Sequence, residues 1–160
     1  METLIPEEEK RKISYKWAAE NDKYTQQHVI DVGDVPGHQI RIYEIQRSWP
    51  ESPPAFDDVR VKEERLCAIS DYIDINGPSW GYSHYVLENG DEIFARFDGT
   101  SQTIANSDGS KKSTFASVVT LTEGTGKFRG IEGTARYTAV FDPKVGLNEG
   151  QVEGEYWIAK

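Results

Sequence analysis

Apolar and polar residues alternate with a period of two along most of this chain, and that alternation predicts strands. His38 to Trp49 is the clearest run: His38, Ile40 and Ile42 fall on one face, and Arg41, Tyr43 and Ile45 on the other. Similar patterning predicts strands over 24–31, 61–75, 80–87, 92–97, 113–122, 133–141 and 150–158, eight in all with 38–49. Glu88-Asn89-Gly90-Asp91 joins two of them, and Asn-Gly between alternating runs is a strong hairpin signal. Asn76-Gly77-Pro78 and Asp142-Pro143 mark further turns. Pro50-Glu51-Ser52-Pro53-Pro54 cannot continue a sheet ladder, and it reads as a loop long enough to cover a mouth of the fold.

The start of the chain reads differently. Glu7 to Lys12 is a run of acids followed by bases, an order that suits a helix start. Ile13 and Trp17 stand at i, i+4, so residues 13–23 are predicted to form one or two helical turns or an irregular arm. The expected organisation is therefore an arm over 1–23 and one domain over 24–160. No helix is predicted between strands, which argues against a βαβ fold. The expected fold class is all-β, an eight-stranded antiparallel barrel with room inside for side chains or one small ligand.

Composition narrows the classes of partner. Four Trp, eight Tyr and six Phe need amphipathic surroundings such as a pocket wall or an interface. The formal net charge of −9 repels phosphate backbones and anionic lipid, so neither nucleic acid nor membrane is an expected partner. Cys67 is the only cysteine, which rules out a disulfide within the chain and suits a reducing compartment. Met1 to Lys12 holds no apolar core of signal-peptide length, so a cytoplasmic location is expected.

The run Gly124-Thr125-Gly126-Lys127-Phe128-Arg129-Gly130-Ile131-Glu132-Gly133 spaces four glycines around one aromatic, as in a tight connection plugging the end of a sheet. It resembles the Gly-Ser/Thr-Gly-x-Phe-x-Gly-x-x-Gly signature of the allene oxide cyclase and dirigent barrels. The resemblance covers about residues 60–160 at the level of pattern. It implies an eight-stranded barrel of calycin type, commonly trimeric. It also implies a glutamate on an early strand and a cysteine on a middle strand, both facing the barrel interior. Cys67 falls where that cysteine would, and Glu44, on an early strand among apolar neighbours, is the nearest candidate for the glutamate. A homo-oligomer, trimer or dimer, is the expected assembly.

The residues themselves offer several candidates for chemistry. Cys67 reads either as a reactive thiol inside the barrel or as a small inert core residue. His84, within Tyr82-Ser83-His84-Tyr85-Val86, reads either as a proton shuttle or as a structurally satisfied histidine. Glu44 completes the catalytic candidates. Arg41, Tyr43, Tyr82, Phe97, Tyr137 and Tyr156 are the candidate ligand-binding residues, Arg41 through bidentate pairing to a carboxylate. His28, His38 and His84 lack the spacing of a metal site, so no metal or other cofactor is expected. Glu153 and Glu155 lie opposite the apolar face made by Val152, Tyr156 and Ile158, and are expected to point to water. Together these readings predict a barrel that binds a small apolar metabolite, either as a cofactor-free cyclase or isomerase or as a non-catalytic carrier. An oligomeric assembly domain is the third expectation.

Overall fold

The computed structural model describes residues 4–160. It contains ten strands: β1 Arg11–Ala18, β2 Asp22–Asp31, β3 His38–Arg47, β4 Ala55–Phe56, β5 Val59–Ile73, β6 Gly77–Leu87, β7 Glu92–Ala105, β8 Lys111–Gly124, β9 Ile131–Asp142 and β10 Leu147–Ile158. All pairings are antiparallel, in the order β1-β10-β9-β8-β7-β6-β5-β3-β2, with the short β4 attached to β5. Each of the eight expected strands is present.

The expected helical arm is instead β1, which pairs with β10 from Arg11↔Tyr156 to Ala18↔Glu149. Ile13, Tyr15 and Trp17 are buried while Ser14 and Lys16 are exposed. The spacing of Ile13 and Trp17 also fits a strand, because an interval of four satisfies both periods, and Tyr15 between them decides for two.

The hydrogen-bonded ladder does not close, so the expected barrel is an open sheet in its backbone pairing. β1 and β2 are its edges, and the 3₁₀ turn Ala19–Asn21 carries the chain from one to the other. Across this seam the Ser48 amide donates to the Asn21 carbonyl (3.0 Å), Asn21 Nδ2 to the Ser48 carbonyl (3.0 Å) and Trp49 Nε1 to the Lys16 carbonyl (2.9 Å). The sheet is nonetheless strongly curled. The Tyr15 hydroxyl on β1 meets that of Tyr85 on β6 at 2.8 Å, although four strands separate them in the ladder.

One end of the concave face is sealed. Phe56, Leu87, Ile93, Phe128, Ile131 and Tyr156 are all almost fully buried there. Phe56 packs edge-on against Tyr85, Phe128 and Tyr156 at centroid distances of 5.2, 6.2 and 5.3 Å. The glycine run makes this seal. Gly124 lies so close to the Phe128 backbone that a side chain would collide with it, and Gly130 takes φ +82°, which favours glycine. The intervening 3₁₀ turn Gly126–Phe128 delivers the Phe128 ring inward. The proline-rich loop runs to this same sealed end, where Pro54 and Phe56 are buried; it is a plug, not a lid over an open mouth.

Candidate functional site

Inward-facing residues of β3 are Arg41, Tyr43, Ile45 and Arg47, and those of β5 are Glu64, Leu66, Ala68, Ser70 and Tyr72. A bulge between Tyr24 and Gln26 changes the phase of β2, so Asp22 and Tyr24 face the concave side while Gln26 and His28 face the convex side. These choices bring three charged groups together in the interior. Arg47 is 1% exposed, and the side chains of Asp22 and Glu64 are 4% and 2% exposed.

Arg47 grips Asp22 with two bonds, Nε to Oδ1 at 2.6 Å and Nη2 to Oδ2 at 3.2 Å. Its Nη1 donates to Glu64 Oε1 (3.0 Å), and Nη2 also donates to the Tyr137 hydroxyl (3.1 Å). The guanidinium carbon sits 4.1 Å from the centre of the Trp17 ring, which in turn stacks on Tyr137 at 5.8 Å. Burial works against the Arg47 charge, but Tyr137, Glu64 and Asp22 outweigh it and hold the guanidinium protonated. The other oxygen of Glu64 accepts from Ser83 Oγ at 2.6 Å, and both its oxygens lie 3.4 Å from the Tyr15 hydroxyl. Burial, with Glu64 next in weight, pushes the Tyr15 and Tyr85 phenols well above their ordinary range, so both stay neutral.

Above this cluster lies a cavity of about 70 Å³ lined by Trp17, Ile45, Leu66, Phe97, Phe115 and Tyr137 among others. Tyr24, Tyr43, Tyr72 and Phe141 line both this cavity and an open vestibule of about 580 Å³. The vestibule lies between the free ends of β3 and β5 and the β9–β10 turn, and Arg41 and Asp74 contribute its charges. Burial pushes the Tyr72 phenol up to about 12. The interior is therefore largely filled by its own side chains, and the roomy apolar hollow expected from the sequence is narrowed to a small deep pocket beneath an open mouth.

The expected site residues divide between the two faces. Arg41, Tyr43, Phe97 and Tyr137 point to the concave side and line the vestibule or the cavity. Tyr156 also points inward but lies in the seal, where its hydroxyl donates to Asp57 Oδ1 (2.9 Å) and accepts from the Asp57 amide (2.6 Å). Cys67, Glu44, His84 and Tyr82 stand on the convex face, contrary to the interior positions that the resemblance implies for Cys67 and Glu44. Register explains this: Glu44 pairs with Cys67 and Cys67 with Tyr82, and residues directly opposite in a ladder share a face. Tyr82 is 69% exposed. His84 stacks on Phe94 at 4.6 Å and bonds Glu92 at 3.1 Å.

Glu44 and Cys67 still meet, with Sγ 3.7 Å from Oε2, at a shallow groove formed with Ile42, Ile69, Trp80 and Tyr82. Partial burial, and then the Glu44 carboxylate, raise the Cys67 thiol above its usual range, which opposes nucleophilic use. Glu44→Gln is expected to speed alkylation of Cys67 at pH 8 by about threefold; an unchanged or slower rate in a kinetic iodoacetamide assay contradicts the pairing.

His38 is held between Asp71 (Nε2 to Oδ1, 2.6 Å) and Asp34 (Nδ1 to Oδ1, 2.6 Å), tying the β2–β3 turn to β5 beside the vestibule. The hydrogen bond to Asp71, then that to Asp34, raises the His38 pKa. The charged clamp is complete below the ordinary histidine pKa and is lost as pH rises through the elevated one. An NMR titration is expected to place the His38 midpoint above about 6.5, and Asp71→Asn to lower it; a midpoint at or below that value in the native protein contradicts the clamp.

Sequence reasoning missed Asp22, Arg47, Glu64, Tyr15 and Tyr85. The available signal was phase: Arg47 shares the face of Tyr43 and Ile45, an unusual place for a charge unless it is paired. Among the described residues, no three His, Cys, Asp or Glu side chains converge as metal ligands, and no helix is long and apolar enough to cross a membrane. Comparison of the chain with protein-family models, curated proteins and solved structures gave no match.

Proposed function

We propose that this protein binds a small molecule on its concave face, with the body of the ligand in the tyrosine-lined vestibule and one end-group in the deep cavity. The observation that carries this reading is that the two spaces adjoin, with Tyr24, Tyr43, Tyr72 and Phe141 lining both. Apolar walls with a few polar groups at the floor are the usual make-up of a ligand site. The test is a ligand-observed NMR screen on the native protein, repeated on Val119→Phe. Val119 lines the cavity, and a larger ring there takes up space inside it. Hits are expected to weaken at least about tenfold in the variant, while folding is kept. Hits that bind both forms equally overturn the reading.

A cofactor-free cyclase or isomerase of the allene oxide cyclase type is the second reading. The observation favouring it is the chain Tyr85–Tyr15–Glu64–Ser83, a set of neutral hydroxyls on a buried carboxylate able to hold or pass a proton near a confined guest. Self-association is supported by a row of exposed Ile42, Trp80, Tyr82 and Val118 on the convex face. Sedimentation equilibrium tests it: a trimer or dimer is expected, and a monomer at high concentration contradicts it.

A further inference from the structure

We propose that the end-group taken by the deep cavity is a cationic nitrogen, a primary or secondary amine, and not a carboxylate. The proposal rests on the small-molecule reading of that cavity and adds the chemistry of its guest.

The charges that line the cavity are two acids and one base, Asp22, Glu64 and Arg47. An inward arginine would ordinarily argue for an anionic ligand. Here the guanidinium is already spent: four hydrogen bonds run from it to Asp22, Glu64 and Tyr137, out of five N–H groups available. An entering carboxylate would find one free N–H on the guanidinium and two buried carboxylates beside it. An ammonium would instead neutralise the surplus negative charge, which a buried site otherwise holds at a cost. Each Asp22 oxygen accepts one bond from Arg47, so lone pairs remain for a guest donor. The walls suit the same guest, since the faces of Tyr43 and Phe115 attract cations, whereas those of Trp17 and Tyr137 already meet the Arg47 guanidinium. The vestibule does not bias the choice, because Arg41 and Asp74 offset each other there.

A second observation points to a missing polar guest. Trp17, 4% exposed, has its Nε1 buried without a partner, and Asn148 Oδ1 is buried without one as well. Both residues line this cavity. Buried polar atoms are rarely left unpaired. An unmet acceptor at Asn148 adds to the demand for a donor, and an unmet donor at Trp17 is suited by a hydroxyl on the same guest or by a co-bound water.

The test uses three probes of nearly equal shape on the full chain: tyramine, 2-(4-hydroxyphenyl)ethanol and 3-(4-hydroxyphenyl)propionate. Binding is read by calorimetry at pH 7 and by the shifts of the Trp17 indole N–H resonance. Tyramine is expected to bind at least about tenfold more tightly than the propionate, with the alcohol between them. Asp22→Asn is expected to reduce that preference to about threefold or less, with near-UV circular dichroism confirming its fold. If the propionate or the alcohol shifts Trp17 and binds as tightly as tyramine, the site stands and the cationic guest is overturned. If none of the three moves Trp17, both the guest and the small-molecule reading fall.

Discussion

Arg47→Met is expected to lower the unfolding free energy by about 3–5 kcal/mol, because it leaves Asp22 and Glu64 buried without their counter-charge. The bidentate bond to Asp22, the bond to Glu64 and the stacking over Trp17 are all lost together. At this chain length the melting temperature should fall by about 10 °C. The triple variant Arg47→Met, Asp22→Asn, Glu64→Gln should recover much of that loss, since removing all the charges avoids stranding any one of them. Urea unfolding at pH 7 measures both. A loss below about 1 kcal/mol for the single variant would show that the cluster is solvated and that the interior is not closed around it.

Phe128→Ala carries the second large effect, about 3–5 kcal/mol. The Phe128 ring is 0% exposed and packs on Phe56, so its removal opens a void that the glycine-fixed backbone on either side cannot close. Val145→Ala, at an exposed residue of the β9–β10 turn, serves as the comparison and should change stability by no more than about 0.5 kcal/mol. Equal effects at the two positions would contradict the sealed end.

The eight long strands were legible because each carries its own alternation and its own turn signals, which are local. The role of Phe128 was legible for the same reason: the glycines around it specify a tight connection whatever the rest of the chain does. β1 is ambiguous in the sequence because Ile13 and Trp17 fit two periods, and only its pairing with β10, at the far end of the chain, settles the choice. Face assignment was the harder problem. Alternation shows that Tyr82 and His84 share a side, as they do, but not which side is concave. That depends on how the whole sheet curls and on the bulge in β2.

The interior charge cluster could not be assembled from sequence, because Asp22, Arg47 and Glu64 come from three strands and only the fold brings them together. Arg47 could have been singled out by its phase on β3; its two partners could not. The same limit misplaced Cys67 and Glu44. Their proximity follows from the register of β3 with β5, yet that register puts them outside, where the thiol faces a carboxylate and not a reactive pocket.

The most direct test of the concave-face site is a crystal structure of the protein soaked with a library of small aromatic amines, alcohols and acids. The ligand site described above requires density that begins among Tyr24, Tyr43 and Tyr72 and ends near Trp17, Asp22 and Tyr137. Fragments that gather only in the convex groove between Ile42, Trp80 and Tyr82, with the interior cavity empty of them, would contradict it.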